Sequence, residues 1–153
     1  MKNKLQKGFT LIELLVVIAI IGILVGLSVF GLNGARQASR DAVRKADLEQ
    51  IRSGLGIYNA DCNKYPLTAN FVLTTSRSLV GSTPPTSCAV ANTYISATPV
   101  DPVSTRRYYY VSAGTTYSIC AALEQAPSPA LNVTACGAVS NCGSSCNYIV
   151  SNP

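Results

Sequence analysis

The chain has 153 residues, a formal charge of +5, six cysteines and no histidine or tryptophan. Three of its twelve basic residues, Lys2, Lys4 and Lys7, lie in the first seven positions. The pI near 9.0 is therefore partly an N-terminal property, and it is weak ground for nucleic-acid binding. The sequence offers no nucleophile–base pair, no phosphate-binding glycine loop and no paired acids, which sets an enzyme aside.

After the basic start, the chain turns apolar through Leu32. Glu13 is the last charge before Arg36. At about 1.5 Å per helical residue, this run is long enough to cross a hydrocarbon core of roughly 30 Å. A cleaved secretory signal also begins with a basic region and an apolar stretch. This stretch is longer than such a signal needs, contains Glu13, and has no small-x-small site soon after it.

The sequence Lys7-Gly8-Phe9-Thr10-Leu11-Ile12-Glu13 resembles the N-terminus of type IV prepilins and type II secretion pseudopilins. The resemblance is close over residues 1 to 32. It implies an α+β, pilin-like fold, with a long N-terminal helix carrying a small antiparallel sheet stapled by disulfides. It also implies cleavage of leader 1–8 after Gly8 by a prepilin peptidase and N-methylation of Phe9. The mature subunit then waits in the inner membrane, head outside the cytoplasm, until an assembly platform draws it into a filament with copies of itself or related pilins. In the family, the acid that matches Glu13 pairs with the N-terminal amine of a neighbouring subunit, here that of Phe9. Thr10-Leu11-Ile12-Glu13 also reads as a capping box, which explains an acid in the first helical turn without any partner subunit. The two roles are compatible at different stages.

The helix is expected to continue past the membrane segment 9–32 through 33–60, giving a rod of about 78 Å. Ala35, Ala38, Ala42 and Ala46 provide a smooth stripe. Leu48, Ile51, Leu55 and Tyr58 recur at spacings of three and four and mark a buried face. Asp41 with Lys45, and Lys45 with Glu49, are placed to pair on the wet face. Gly22, Gly26, Gly31 and Gly34 punctuate the helix. The proline that many filament-forming pilins carry late in the apolar segment is absent. Asp61-Cys62-Asn63-Lys64-Tyr65-Pro66 ends the helix.

Residues 61–105 read as a loop-rich connector, with a short helix between Phe71 and Leu79, an irregular stretch from Ser82 to Ser87, and an anchor at Tyr94 and Ile95. Residues 106–125 read as the sheet. Tyr108 to Val111 and Tyr117 to Glu124 form a hairpin across Ala113-Gly114-Thr115, and Tyr148 to Val150 offers a third strand. Residues 126–153 form a cysteine-rich C-terminal region.

Cys62, Cys88, Cys120, Cys136, Cys142 and Cys146 all follow the membrane segment and read as disulfides in an exported head. The pairing taken is Cys62–Cys88, Cys120–Cys136 and Cys142–Cys146. Zinc held by Cys120, Cys136, Cys142 and Cys146 is the alternative. The resemblance makes Asp101 a calcium candidate, since major pseudopilins bind calcium near this Asp-Pro. The family's following Trp-Gly is replaced by Val103-Ser104, and a plain turn serves as well. No other cofactor is implied. Tyr108, Tyr109 and Tyr110 beside Arg106 and Arg107 can be read as a DNA-stacking surface or as ordinary alternating strand residues. Asn132-Val133-Thr134 matches a glycosylation triplet.

The expected function is a structural subunit of a type IV pilus. A type II secretion pseudopilin, favoured by Asp101-Pro102 and the tyrosine pattern, is the first alternative. A monomeric membrane-anchored binding domain is the second.

Overall fold

Thr10 and Glu13 set the start of the first helix. The Thr10 backbone N–H and hydroxyl both donate to Glu13 Oε2, at 2.8 and 2.7 Å, and the Glu13 N–H returns to Thr10 Oγ1 at 3.3 Å. This reciprocal capping box leads directly into helix α1, Leu11–Cys62. The coordinates are a computed structural model and describe residues 8–81, 92–137 and 141–152. The chain divides after Gln37 into two compact units, and α1 contributes to both.

In the N-terminal unit, the apolar side chains of α1 among the described residues are largely exposed. Leu11, Ile12, Leu14, Ile18 and Ile23 are all exposed. The helix is long and apolar enough to cross a membrane. A Cβ built on Gly22, Gly26, Gly31 or Gly34 meets no atom within 4 Å, so the subunit's own packing does not require these glycines.

In the second unit, Leu48, Ile51, Leu55 and Tyr58 are fully buried, as the spacing predicts. Burying each contributes on the order of 1.5–3 kcal/mol. Gly54 shares this face, where a Cβ would collide with the Ile95 side chain. Traced backwards, the buried face continues through Arg44 and Asp41, while Ala38, Ala42 and Ala46 are exposed. The expected wet-face pairs of Lys45 are therefore not formed. Asp41 turns inward, Lys45 lies 5.7 Å from the centre of the Tyr148 ring, and Glu49 pairs weakly with Arg52 at 3.5 Å. The helix closes at Cys62, and Asn63 adopts the left-handed conformation at φ 54° with its N–H on Asn59 O at 2.8 Å. Asparagine tolerates this conformation better than most residues.

The connector holds no helix between Phe71 and Leu79. Phe71 and Leu73 are buried while Val72 and Thr74 face out. This period of two suits extended chain and cannot build a helical face. Strand β1, Leu79–Val80, pairs antiparallel with β2, Thr93–Ile95. The irregular stretch expected from Ser82 to Ser87 lies outside the described residues.

The main sheet has the order β3–β4–β5, all antiparallel, from Tyr109–Ser112, Tyr117–Ala121 and Tyr148–Ser151. The turn between β3 and β4 uses Gly114 at φ 98°, a conformation that favours glycine. β4 ends three residues before Glu124. There the Asn147 side chain takes the place of a neighbouring strand, accepting from Leu123 N at 2.7 Å and donating to Leu123 O at 3.0 Å. Tyr110, Tyr117, Ile119 and Val150 join the buried helix face and Phe71 in one core. Phe71 and Tyr110 meet edge to face at 5.1 Å. A second cluster gathers Cys120, Cys136, Cys142 and Cys146 around Ala122.

Candidate assembly and processing site

Gly8, Phe9 and Glu13 lie together at the start of α1. Gly8 is exposed, and a Cβ there would meet nothing within 4 Å. The chain's own packing therefore gives no reason for glycine at this position. Phe9 is 91% exposed. Glu13 Oε2 accepts both bonds from Thr10, while Oε1 makes no hydrogen bond among the described residues. The carboxylate is thus half satisfied within the subunit, and one oxygen remains available to a cation.

The second polar centre lies inside the head, and its role was not anticipated from the sequence. The Arg44 side chain is fully buried. Its Nε and Nη2 donate to Asp101 Oδ2 and Oδ1 at 2.8 and 2.9 Å. Its Nη1 donates to Asp41 Oδ1 at 2.7 Å and to Glu124 Oε1 at 2.9 Å. Arg40 grips the same Glu124 through two nitrogens. Asp41 also accepts the backbone N–H groups of Glu124 and Gln125, at 2.9 and 2.8 Å. Hydrogen bonds from Arg40, with Arg44 adding to them, hold the Glu124 carboxyl down at about 2. One buried guanidinium thus ties the helix to two loops of the head. The sequence signal was present: Arg44 sits four residues before Leu48 and Asp41 three before Arg44, on the apolar face extended backwards.

Asp101, the calcium candidate, has its carboxylate committed to Arg44, and Oδ1 also accepts the Val103 N–H at 2.8 Å. In the structure the Arg44 guanidinium is the cation that neutralises this acid. Cys120–Cys136 and Cys142–Cys146 are disulfide-bonded with Cα separations of 6.0 and 5.5 Å. This is the expected pairing and leaves no thiolates for the zinc alternative. Cys62 is also disulfide-bonded, and its expected partner Cys88 lies outside the described residues.

The tyrosine run does not make a stacking surface. Tyr108 and Tyr110 are buried, with their hydroxyls donating to Asp47 Oδ2 at 2.6 Å and Pro66 O at 2.7 Å. Burial pushes the Asp47 carboxyl up, and the Tyr108 bond only partly offsets it. Asn132 is exposed, and its Oδ1 accepts from the Thr134 N–H and hydroxyl at 3.1 and 2.8 Å.

Residues 3–29 match the family model described as the prokaryotic N-terminal methylation motif. The type II secretion system core protein G of Pseudomonas aeruginosa is 32% identical over 115 residues, which is 75% of this chain and 80% of that protein. Core protein G of Aeromonas hydrophila is 38% identical over 44% of this chain and 48% of that protein. The type IV major fimbrial protein FimA of Dichelobacter nodosus is 40% identical over 39% of each chain. No solved structure matches the chain at a significant level. The methylation motif at the N-terminus and a likeness to core protein G reaching well into the head show that this chain belongs to the prepilin-like family of type IV pilins and type II secretion pseudopilins.

Proposed function

We propose that this chain is a structural subunit of a type II secretion pseudopilus, built from processed subunits that pack through α1. The observation that carries this reading is the 32% identity to core protein G across 75% of the chain. The match to the fimbrial protein spans 39% of the chain, and N-terminal likeness is common to both kinds of filament. The longer likeness to core protein G supports the pseudopilus over the pilus expected from the sequence.

In this reading, a peptidase cuts after Gly8 and frees the Phe9 amine. The Thr10–Glu13 capping box matters before and after that event. A carboxylate in an apolar helix needs compensation. Thr10 supplies part of it inside the single subunit through the two bonds to Oε2. The unbonded Oε1 then accepts the Phe9 ammonium of a neighbour. The exchange of lipid for that charge pair favours polymer over monomer. The head outside the cytoplasm needs only to remain folded, which its disulfides and the Arg44 centre support.

The test is a Glu13→Ala variant expressed in place of the native chain. The expected result is normal cleavage after Gly8, loss of subunit–subunit cross-links and loss of exoprotein secretion. Unchanged secretion with Glu13→Ala in place would refute the proposal.

A further inference from the structure

The triplet Asn132-Val133-Thr134 has no part in the main core or in the proposed assembly site. Asn132 is the only asparagine of the chain with serine or threonine two positions later, and the residue between them is not proline, which would block such a triplet. The triplet lies near the end of an arch between β4 and Cys136. Both feet of the arch are fixed. Asp41 accepts the Glu124 and Gln125 N–H groups at 2.9 and 2.8 Å, and the Cys120–Cys136 disulfide pins the other foot. Between them, the backbone of residues 126–132 makes no hydrogen bond among the described residues. Ser128 to Asn132 are all exposed, while Val133 is half-buried against the cysteine cluster. The segment can thus lift into the groove of an enzyme without breaking a backbone hydrogen bond, as exposed loops that are modified by other proteins must.

The Asn132 side chain is held by one end. The Thr134 N–H can only donate, so the Asn132 atom that faces it at 3.1 Å is the oxygen. The Thr134 hydroxyl donates to the same Oδ1 at 2.8 Å. The amide nitrogen Nδ2 makes no hydrogen bond among the described residues. The turn therefore uses only the oxygen. Aspartate or serine would close it as well, so the fold gives no reason for an amide at this position. An exposed amide nitrogen with no internal role, set beside an exposed hydroxyl two residues on, has the chemistry of an N-glycosylation acceptor.

We infer that Asn132 accepts an oligosaccharide from a lipid pyrophosphate donor, delivered by a membrane-bound transferase. In the transfer, Nδ2 forms a bond to the anomeric carbon as the bond from that carbon to the pyrophosphate oxygen breaks. One Nδ2 proton passes to a base of the transferase, and the lipid pyrophosphate leaves. Nothing is oxidised or reduced. With α1 in the membrane, acceptor and lipid-borne donor share one bilayer. The inference rests on the head lying outside the cytoplasm, as proposed above, and holds whichever filament the chain builds.

The experiment is mass spectrometry of the full chain purified in detergent from its native cells, reading the N-terminal peptide and the peptide that contains Asn132. The expected result is a chain starting at Phe9 with a sugar mass on Asn132. Asn132→Asp keeps an acceptor for both Thr134 bonds and should abolish the added mass. Thr134→Val should abolish it too, whereas Thr134→Ser, which keeps the hydroxyl, should retain it. An unmodified Asn132 in a chain that starts at Phe9 would overturn this inference and leave the proposed function standing. The same sugar mass in Asn132→Asp or Thr134→Val would also overturn it. An unmodified chain that still starts at Met1 would overturn both.

Discussion

Replacing Arg44 by methionine tests whether the head is organised around this one buried cation. The substitution keeps most of the aliphatic stem and removes four hydrogen bonds. The partners lose unequally. Glu124 keeps Arg40, and Asp41 keeps the backbone N–H groups of Glu124 and Gln125. Asp101 keeps only the Val103 N–H and has a side chain wholly removed from solvent. The loss therefore concentrates on one buried, uncompensated carboxylate. Removing one partner of a buried pair costs about 3–5 kcal/mol. For a unit of this size that corresponds to a fall in Tm of about 12–20 °C, taking roughly 4 °C per kcal/mol. The assay is thermal unfolding of the detergent-solubilised chain, disulfides intact, followed by near-ultraviolet circular dichroism of the buried tyrosines. Adding Asp101→Asn to Arg44→Met removes the stranded charge and should recover at least about half of the loss. A loss below about 1 kcal/mol, or a double variant as unstable as the sum of the two single variants, would refute the reasoning.

Four further outcomes follow from the same structure. Glu124 has its folded pKa held at about 2, below its unfolded value, so its contribution is present above about pH 4.5 and is lost as pH falls toward 2; an acid titration of stability should show that loss in wild type and a smaller one in Glu124→Gln. Gly143 combines φ 74° with a Cβ position that meets the Thr105 carbonyl, so Gly143→Ala should destabilise the head beyond the roughly 1 kcal/mol of ordinary left-handed strain, measured by denaturant unfolding. Cys120 and Cys136 close a loop with a sequence separation of 16, and replacing both with serine should cost about 3 kcal/mol. Leu55→Ala removes a fully buried side chain from the helix face and should cost about 2–5 kcal/mol, whereas Ile57→Ala, at 58% exposure, should change head stability by less than about 0.5 kcal/mol.

Elements with a strong single period were legible in the sequence. The spacing of Leu48, Ile51, Leu55 and Tyr58 located the face that carries the head, and the alternation of tyrosines, together with Gly114, located the hairpin. The capping box at Thr10 and Glu13 was legible because both partners lie within one turn. The Arg44 centre was hidden, because its partners lie 57 and 80 residues away and four charges near a membrane segment read as a solvated face. For the same reason, Asp41 and Lys45 were read as an exposed pair. Strands β1 and β2 are too short to show a period, so Phe71 to Leu79 resembled a helix. The end of β4 depends on Asn147, which no local pattern announces. Asp101 read as a turn residue, because the arginine that holds it comes from the helix 57 residues away.

The account stands or falls on the N-terminus of the mature chain. The decisive measurement is mass spectrometry of the N-terminal peptide of this chain from the cell envelope and from sheared surface material of cells that produce it. The account predicts a chain that starts at N-methylated Phe9 and is confined to the envelope. A chain still starting at Met1 in both fractions would contradict processing and the assembly that depends on it. A Phe9-starting chain dominating the sheared material would contradict the pseudopilus and restore the pilus.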